Sequence, residues 1–142
     1  MREILFKAKR IDNGEWIEGN LIDLDSDSGY CYIAAPYRKA STLPINFLIT
    51  GRMELVDSKT ICQFTGLCDK NGNKIWENDI LMAHLDESYP EDAAYEAIQW
   101  GMAGWVTREA GSIDRQYLDK FDLEHYEVVG NIFDNPDLLR EE

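Results

Sequence analysis

Apolar and polar residues alternate from the start of the chain: Ile4, Phe6 and Ala8 are interleaved with Leu5, Lys7 and Lys9. A period of two turns successive side chains to opposite faces, so residues 4–10 are predicted to form a half-buried strand. Asp12-Asn13-Gly14 follows, and these residue types tolerate positive φ. Residues 15–22 should therefore return as the second arm of a hairpin. The polar stretch 23–29, from Asp23 to Gly29, reads as another turn, and the aromatic and β-branched run 30–34 reads as a third strand.

Pro36 and Pro44 bracket a less regular connection, and the apolar runs 53–56 and 61–64 are too short for helices. Asn71-Gly72 lies between Thr65-Gly66-Leu67 and Ile75-Trp76, which is the strongest local hairpin signal in the chain. Residues 80–85 are continuously apolar over strand length, the pattern of a central strand buried on both faces, with His84 as a hydrogen-bonded core residue. Residues 86–92 form an acidic loop, and 97–100 with 104–107 form a further hairpin around Gly101. Ile113, Tyr117, Leu118 and Phe121 carry helical spacing, which predicts a short amphipathic helix over 113–121. Residues 126–133 return to strand character. Asn135 then acts as an N-cap before Pro136, with a short terminal helix over 137–141. The fold class expected is mainly β: antiparallel hairpins forming a small barrel-like domain with a short C-terminal helix. No repeat or low-complexity linker divides the chain, so residues 1–142 are read as a single domain.

Composition narrows the setting. A chain of 142 residues can bury about 70% of its unfolded surface and needs no disulfides. Cys31, Cys62 and Cys68 are an odd number without a paired framework, which reads as reduced, partly buried fillers. No apolar run approaches the length of a membrane span, and the N-terminal residues do not have the form of a secretory signal. A cytoplasmic protein with no membrane partner is the expectation.

Charge is distributed unevenly. Residues 1–76 hold 10 acidic and 10 basic side chains, whereas 77–142 hold 17 and 4, so the whole net charge of −13 lies in the second half. Such a field repels phosphate backbones, because nucleic-acid affinity comes from Lys and Arg displacing counterions. The simplest role of this surface is solubility.

Candidate chemistry is sparse. Asp23, Asp25 and Asp27 imitate the first ligands of a calcium loop, but Ser28 stands where glycine is required and Ala34 where the bidentate glutamate belongs. Asp69, Asn71 and Asn73 fail the same test at Lys74 and Ile80. Cys31, Cys62 and Cys68 with His84 or His125 could donate to zinc, but no pair has knuckle spacing. No metal or other cofactor is assigned. The glycines read as turns and close approaches, and Trp76, Trp100 and Trp105 as buried surface. A base-stacking platform of these tryptophans would lack the basic groove that accompanies one. No nucleophile elbow, Walker loop or dinucleotide fingerprint occurs, and no catalytic residue is assigned.

Residues 60–80, from Thr60-Ile61-Cys62-Gln63-Phe64-Thr65-Gly66-Leu67-Cys68-Asp69 through Asn71-Gly72 to Asn78-Asp79-Ile80, resemble the central signature of the YopX family. Trp16-Ile17-Glu18-Gly19-Asn20-Leu21 resembles its early strand, and the run from Val128-Val129-Gly130-Asn131 to Leu139 its closing strand and tail. The resemblance implies a mostly β, barrel-like fold, a phage or prophage setting and self-association, and it implies no activity. It also implies a glycine where this chain has Asn78, so a positive φ there would cost more than in the family.

The leading functional expectation is a non-enzymatic, homo-oligomeric interaction module whose acidic half contacts a basic protein partner. The candidate contact residues are Asp86, Glu87, Glu91, Asp92 and Glu96. The alternative is a nucleic-acid-associated small barrel using Arg2, Lys7, Lys9 and Arg10. A third class is a carboxylate-dependent hydrolase using pairs such as Asp86 with Glu87 or Glu91 with Asp92.

Overall fold

Strand periodicity and positive-φ turns set the architecture of the computed structural model, which describes residues 3–25, 27, 30–35, 53–84, 93–109, 116–118 and 122–139. The chain divides into two compact units, residues 1–64 and 65–142.

In the first unit, β1 (Phe6–Lys9) and β2 (Trp16–Asp25) form the predicted hairpin, with Ala8 opposite Ile17 and Lys9 opposite Trp16. Gly14 takes φ +73 in the turn, which closes through Arg10 N–H to the Glu15 carbonyl at 2.8 Å. β3 (Tyr30–Ala34) follows on β2, and β4 (Met53–Val56) on β3. A Cβ on Gly19 would collide with the Ala34 carbonyl, so only glycine lets these two strands meet this closely. β5 (Cys62–Cys68) pairs with the other side of β1 through Gln63 and Cys62, giving the order β4-β3-β2-β1-β5.

Strand alternation sends Ala8, Cys31, Ile33 and Val56 to one interior, where Phe6, Ile17, Leu21 and Ile61 pack around them. Full burial of a side chain such as Ile33 stabilises by about 2 to 3 kcal/mol. The sheet rolls around this core until Arg10 bridges Val56, and Ile11 N–H reaches the Leu55 carbonyl at 3.1 Å. The turn after β4 is fastened by side chains. Asp57 accepts from Lys59 N–H at 3.0 Å, and Thr60 Oγ1 accepts from Lys9 N–H at 2.9 Å while donating to the Asp57 carbonyl at 2.7 Å.

In the second unit, Asn71-Gly72 makes the expected turn between β5 and β6 (Lys74–Trp76), with φ +81 at Gly72. β7 (Asp79–His84) is flanked by β8 (Ala93–Trp100) and β11 (Glu127–Asn131). β9 (Trp105–Glu109) and the two-residue β10 (Gln116–Tyr117) complete the order β10-β9-β8-β7-β11. Ile75, Leu81, Ile98 and Leu123 form the core, packed by Leu67, Trp105, Leu118, Tyr126 and Val128. The turn from β6 to β7 puts Asn78 at φ +69, with Asp79 accepting from Trp76 N–H at 2.8 Å.

The expected antiparallel β class holds, with four corrections. Among the described residues the strands form open antiparallel sheets, not a closed barrel, because the bridge at Arg10 and Val56 is isolated and the outer edge of β11 is occupied by loop groups. The terminal helix is only a 3-10 turn, Pro136–Leu139. Within 113–121, the described Gln116–Tyr117 is strand, because pairing with Thr107 and Val106 overrides the helical spacing; the rest of that stretch, apart from Leu118, lies outside the described residues. His84 is exposed at the end of β7, because the double burial of that strand applies to Ile80 and Leu81 and fades along it.

Candidate functional site

Among the residues read as a contact surface from sequence, Asp86, Glu87, Glu91 and Asp92 lie outside the described residues. Glu96 is described. It sits half-buried on β8, with Leu81 opposite on β7 and Glu109 directly opposite on β9. Two carboxylates placed opposite each other across neighbouring strands repel.

At the other end of the same hairpin, Trp100 lies opposite Trp105, their rings edge to face with centroids 4.8 Å apart and planes at 72°. The turn between them is Gly101-Met102-Ala103-Gly104, closed by Gly101 N–H to the Gly104 carbonyl at 2.8 Å. A Cβ on Gly101 would come within 2.9 Å of Val106 Cγ1, so glycine is what allows the turn to fold back this tightly. Met102 projects fully into solvent, and Trp100 and Tyr117 are 57% and 60% exposed. Register places Tyr117 opposite Val106, on the sheet face away from Trp105. Gly101, Met102, Val106 and Tyr117 line a half-open cavity of about 240 Å³. Trp100 therefore departs from the expectation that the tryptophans are buried; Trp76 fits it, and Trp105 is half-buried. An uncharged turn bounded by two tryptophans was the sequence signal for this surface, because hairpin turns are ordinarily polar.

The buried carboxylates are committed to the backbone. Asp69 Oδ1 accepts from the amides of Asn71 and Asn73, both at 2.9 Å. Its Oδ2 accepts from Val128 N–H at 2.9 Å and from the Asn73 side chain at 3.4 Å. Burial works to raise the Asp69 pKa, but the amides of Val128, Asn73 and Asn71 and the Asn73 side chain together hold it below the ordinary carboxylate range. Lys70 N–H donates to the Tyr126 carbonyl at 3.1 Å, so the 69–73 turn covers the outer edge of β11. An open cavity of about 370 Å³ beside it is lined by Cys68, Asp69, Lys70, Leu123 and Glu124.

The metal and nucleic-acid readings gain no geometry. Among the described residues no cluster of three or more His, Cys, Asp or Glu side chains could hold a metal. Cys31 and Cys62 are buried in the first unit and Cys68 is exposed, and Cys31 and Cys62 donate to Asp23 and the Thr60 carbonyl. In the basic cluster, Lys7 and Lys9 lie 4.6 and 5.5 Å from the centroid of the Trp16 ring. Arg10 is held by Asp12 at 2.7 Å and Glu54 at 3.3 Å, which neutralise it locally. Arg2 lies outside the described residues. Among the described residues no helix is long and apolar enough to cross a membrane.

The model of the YopX protein family matches residues 5–140. The chain is also similar to a solved structure, that of protein EF1440 from Enterococcus faecalis, with a TM-score of 0.63 and 25% identity over 99% of this chain and 100% of that one. No curated protein matches.

Proposed function

The chain belongs to the YopX family, and from that premise we propose that it is a non-catalytic interaction module of phage or prophage type whose C-terminal unit docks a basic protein. The observation that carries this reading is the concentration of charge in that unit, 18 acidic against 6 basic side chains, with Glu96 and Glu109 directly opposite each other on β8 and β9. A surface of one sign attracts a partner of the other and speeds its arrival. The buried acids Asp69 and Asp79 instead serve backbone amides, which is a structural use. Self-association belongs to the same proposal. The first unit, with 9 acidic and 8 basic residues, is close to neutral and exposes Ile4, Ile11 and Leu24, so a second copy meets little repulsion there.

A pull-down from host lysate tests the reading. The captured protein should be basic and should elute at about 0.5 M salt, where the Debye length is roughly 4 Å. Replacing Asp86, Glu87, Glu91 and Asp92 by their amides should slow association more than it speeds dissociation. Sedimentation should show a mass above the monomer's. Tight binding of duplex DNA, lost on substituting Lys7, Lys9 and Arg10, would replace this reading with a nucleic-acid one.

A further inference from the structure

We propose that the tip of the β8–β9 hairpin, with Met102 and Tyr117 over the cavity beside Gly101 and Val106, is the apolar anchor point for a basic protein segment that inserts one aliphatic side chain there. The inference rests on the reading of the C-terminal unit as an acidic docking surface and names the site that sets the lifetime of the complex.

Three observations converge on the tip. Met102 is fully exposed at a turn apex, where it contributes no core packing, and Tyr117 is mostly exposed on the edge strand β10. Methionine and tyrosine are enriched at the centres of interfaces, because one adapts its shape and the other offers a large surface at little entropic cost. The tip is also held in place before any partner arrives. The Gly101 to Gly104 hydrogen bond and the Trp100–Trp105 contact brace the turn, and the Tyr117 ring lies against Gly104, 3.7 Å from where a Cβ would stand. The cavity of about 240 Å³ falls below the usual range for small-molecule sites and is large enough to admit a side chain of leucine size.

Charge selects the occupant. The whole chain carries a net charge of −13 and the second unit 18 acidic against 6 basic residues, so at long range a second copy is repelled from this unit and a cationic segment is attracted to it. Long-range attraction then governs arrival, and the seated aliphatic side chain governs departure.

Two synthetic peptides of equal length and positive charge are the probes: one of Lys, Gly and Ser, the other with a single Leu among the same residues. Each is titrated into the full chain carrying labelled methionine methyl groups. The Leu peptide should bind about tenfold more tightly and shift the Met102 methyl resonance. Met102→Ser and Tyr117→Ser, both at exposed positions, should bring the two affinities together and leave the salt dependence unchanged. Equal binding of the two peptides to the unaltered chain overturns the anchor and leaves the acidic docking surface standing. Binding of neither peptide overturns both. A Met102 shift that depends on protein concentration without peptide assigns the tip to a second copy and likewise overturns the proposal.

Discussion

The carboxylate of Asp69 accepts a hydrogen bond from the amide of Val128 at 2.9 Å, across 59 residues of sequence, and so fastens the 69–73 turn to the edge of β11. Asp69→Ala would leave that amide and those of Asn71 and Asn73 without their acceptor, at a cost of about 2 to 3 kcal/mol. Urea denaturation at neutral pH measures it. Because the folded carboxyl titrates below its unfolded value of about 3.9, the folded state binds fewer protons in that window and stability rises with pH there. The contribution is complete above the unfolded value and disappears as pH falls through the folded one. Asp69→Asn should remove this part of the acid sensitivity.

Asn78 holds φ +69 in the turn leading into β7, and its amide donates to the Ile98 carbonyl at 2.8 Å. Asn78→Gly should leave stability within about 0.5 kcal/mol or raise it, since glycine adopts this conformation freely. A β-branched residue meets the full left-handed penalty, so Asn78→Val should cost about 1 to 2 kcal/mol. Thermal midpoints of the two variants separate backbone strain from any contribution of the Asn side chain.

A Cβ added at Gly130 would stand 2.7 Å from Asn135 Cγ, while Asn135 Oδ1 accepts from Asn131 N–H at 3.2 Å. Gly130→Ala should therefore cost about 1 to 3 kcal/mol by overpacking. Combining it with Asn135→Gly should cost less than the sum of the single changes. A double-mutant cycle reads this coupling directly.

Glu109→Lys replaces the like-charge pair with Glu96 by an opposite one. It should raise stability by roughly 0.2 to 1 kcal/mol and weaken binding of the Lys-Gly-Ser peptide. Denaturation and titration are made on the same sample. Lower stability together with unchanged peptide binding would remove the facing glutamates from the proposed function.

Sequence alone determined the strands and turns whose causes are local. Period-two alternation placed β1, the aromatic and β-branched run 30–34 placed β3, and the need for positive φ at Gly14 and Gly72 placed the hairpin turns. It also determined the division of charge, and hence the acidic region that includes Glu96. Tertiary structure decided whatever depends on the neighbouring strand. Tyr117 reads equally as a helical stripe until Val106 pairs with it, and Trp100 reads as core until its place at a hairpin end leaves it exposed. The facing of Glu96 and Glu109 is a matter of register, and the bond from Val128 to Asp69 joins residues that no local period connects. Side-chain spacing limits which faces a residue can occupy, whereas pairing between distant segments determines what that face meets.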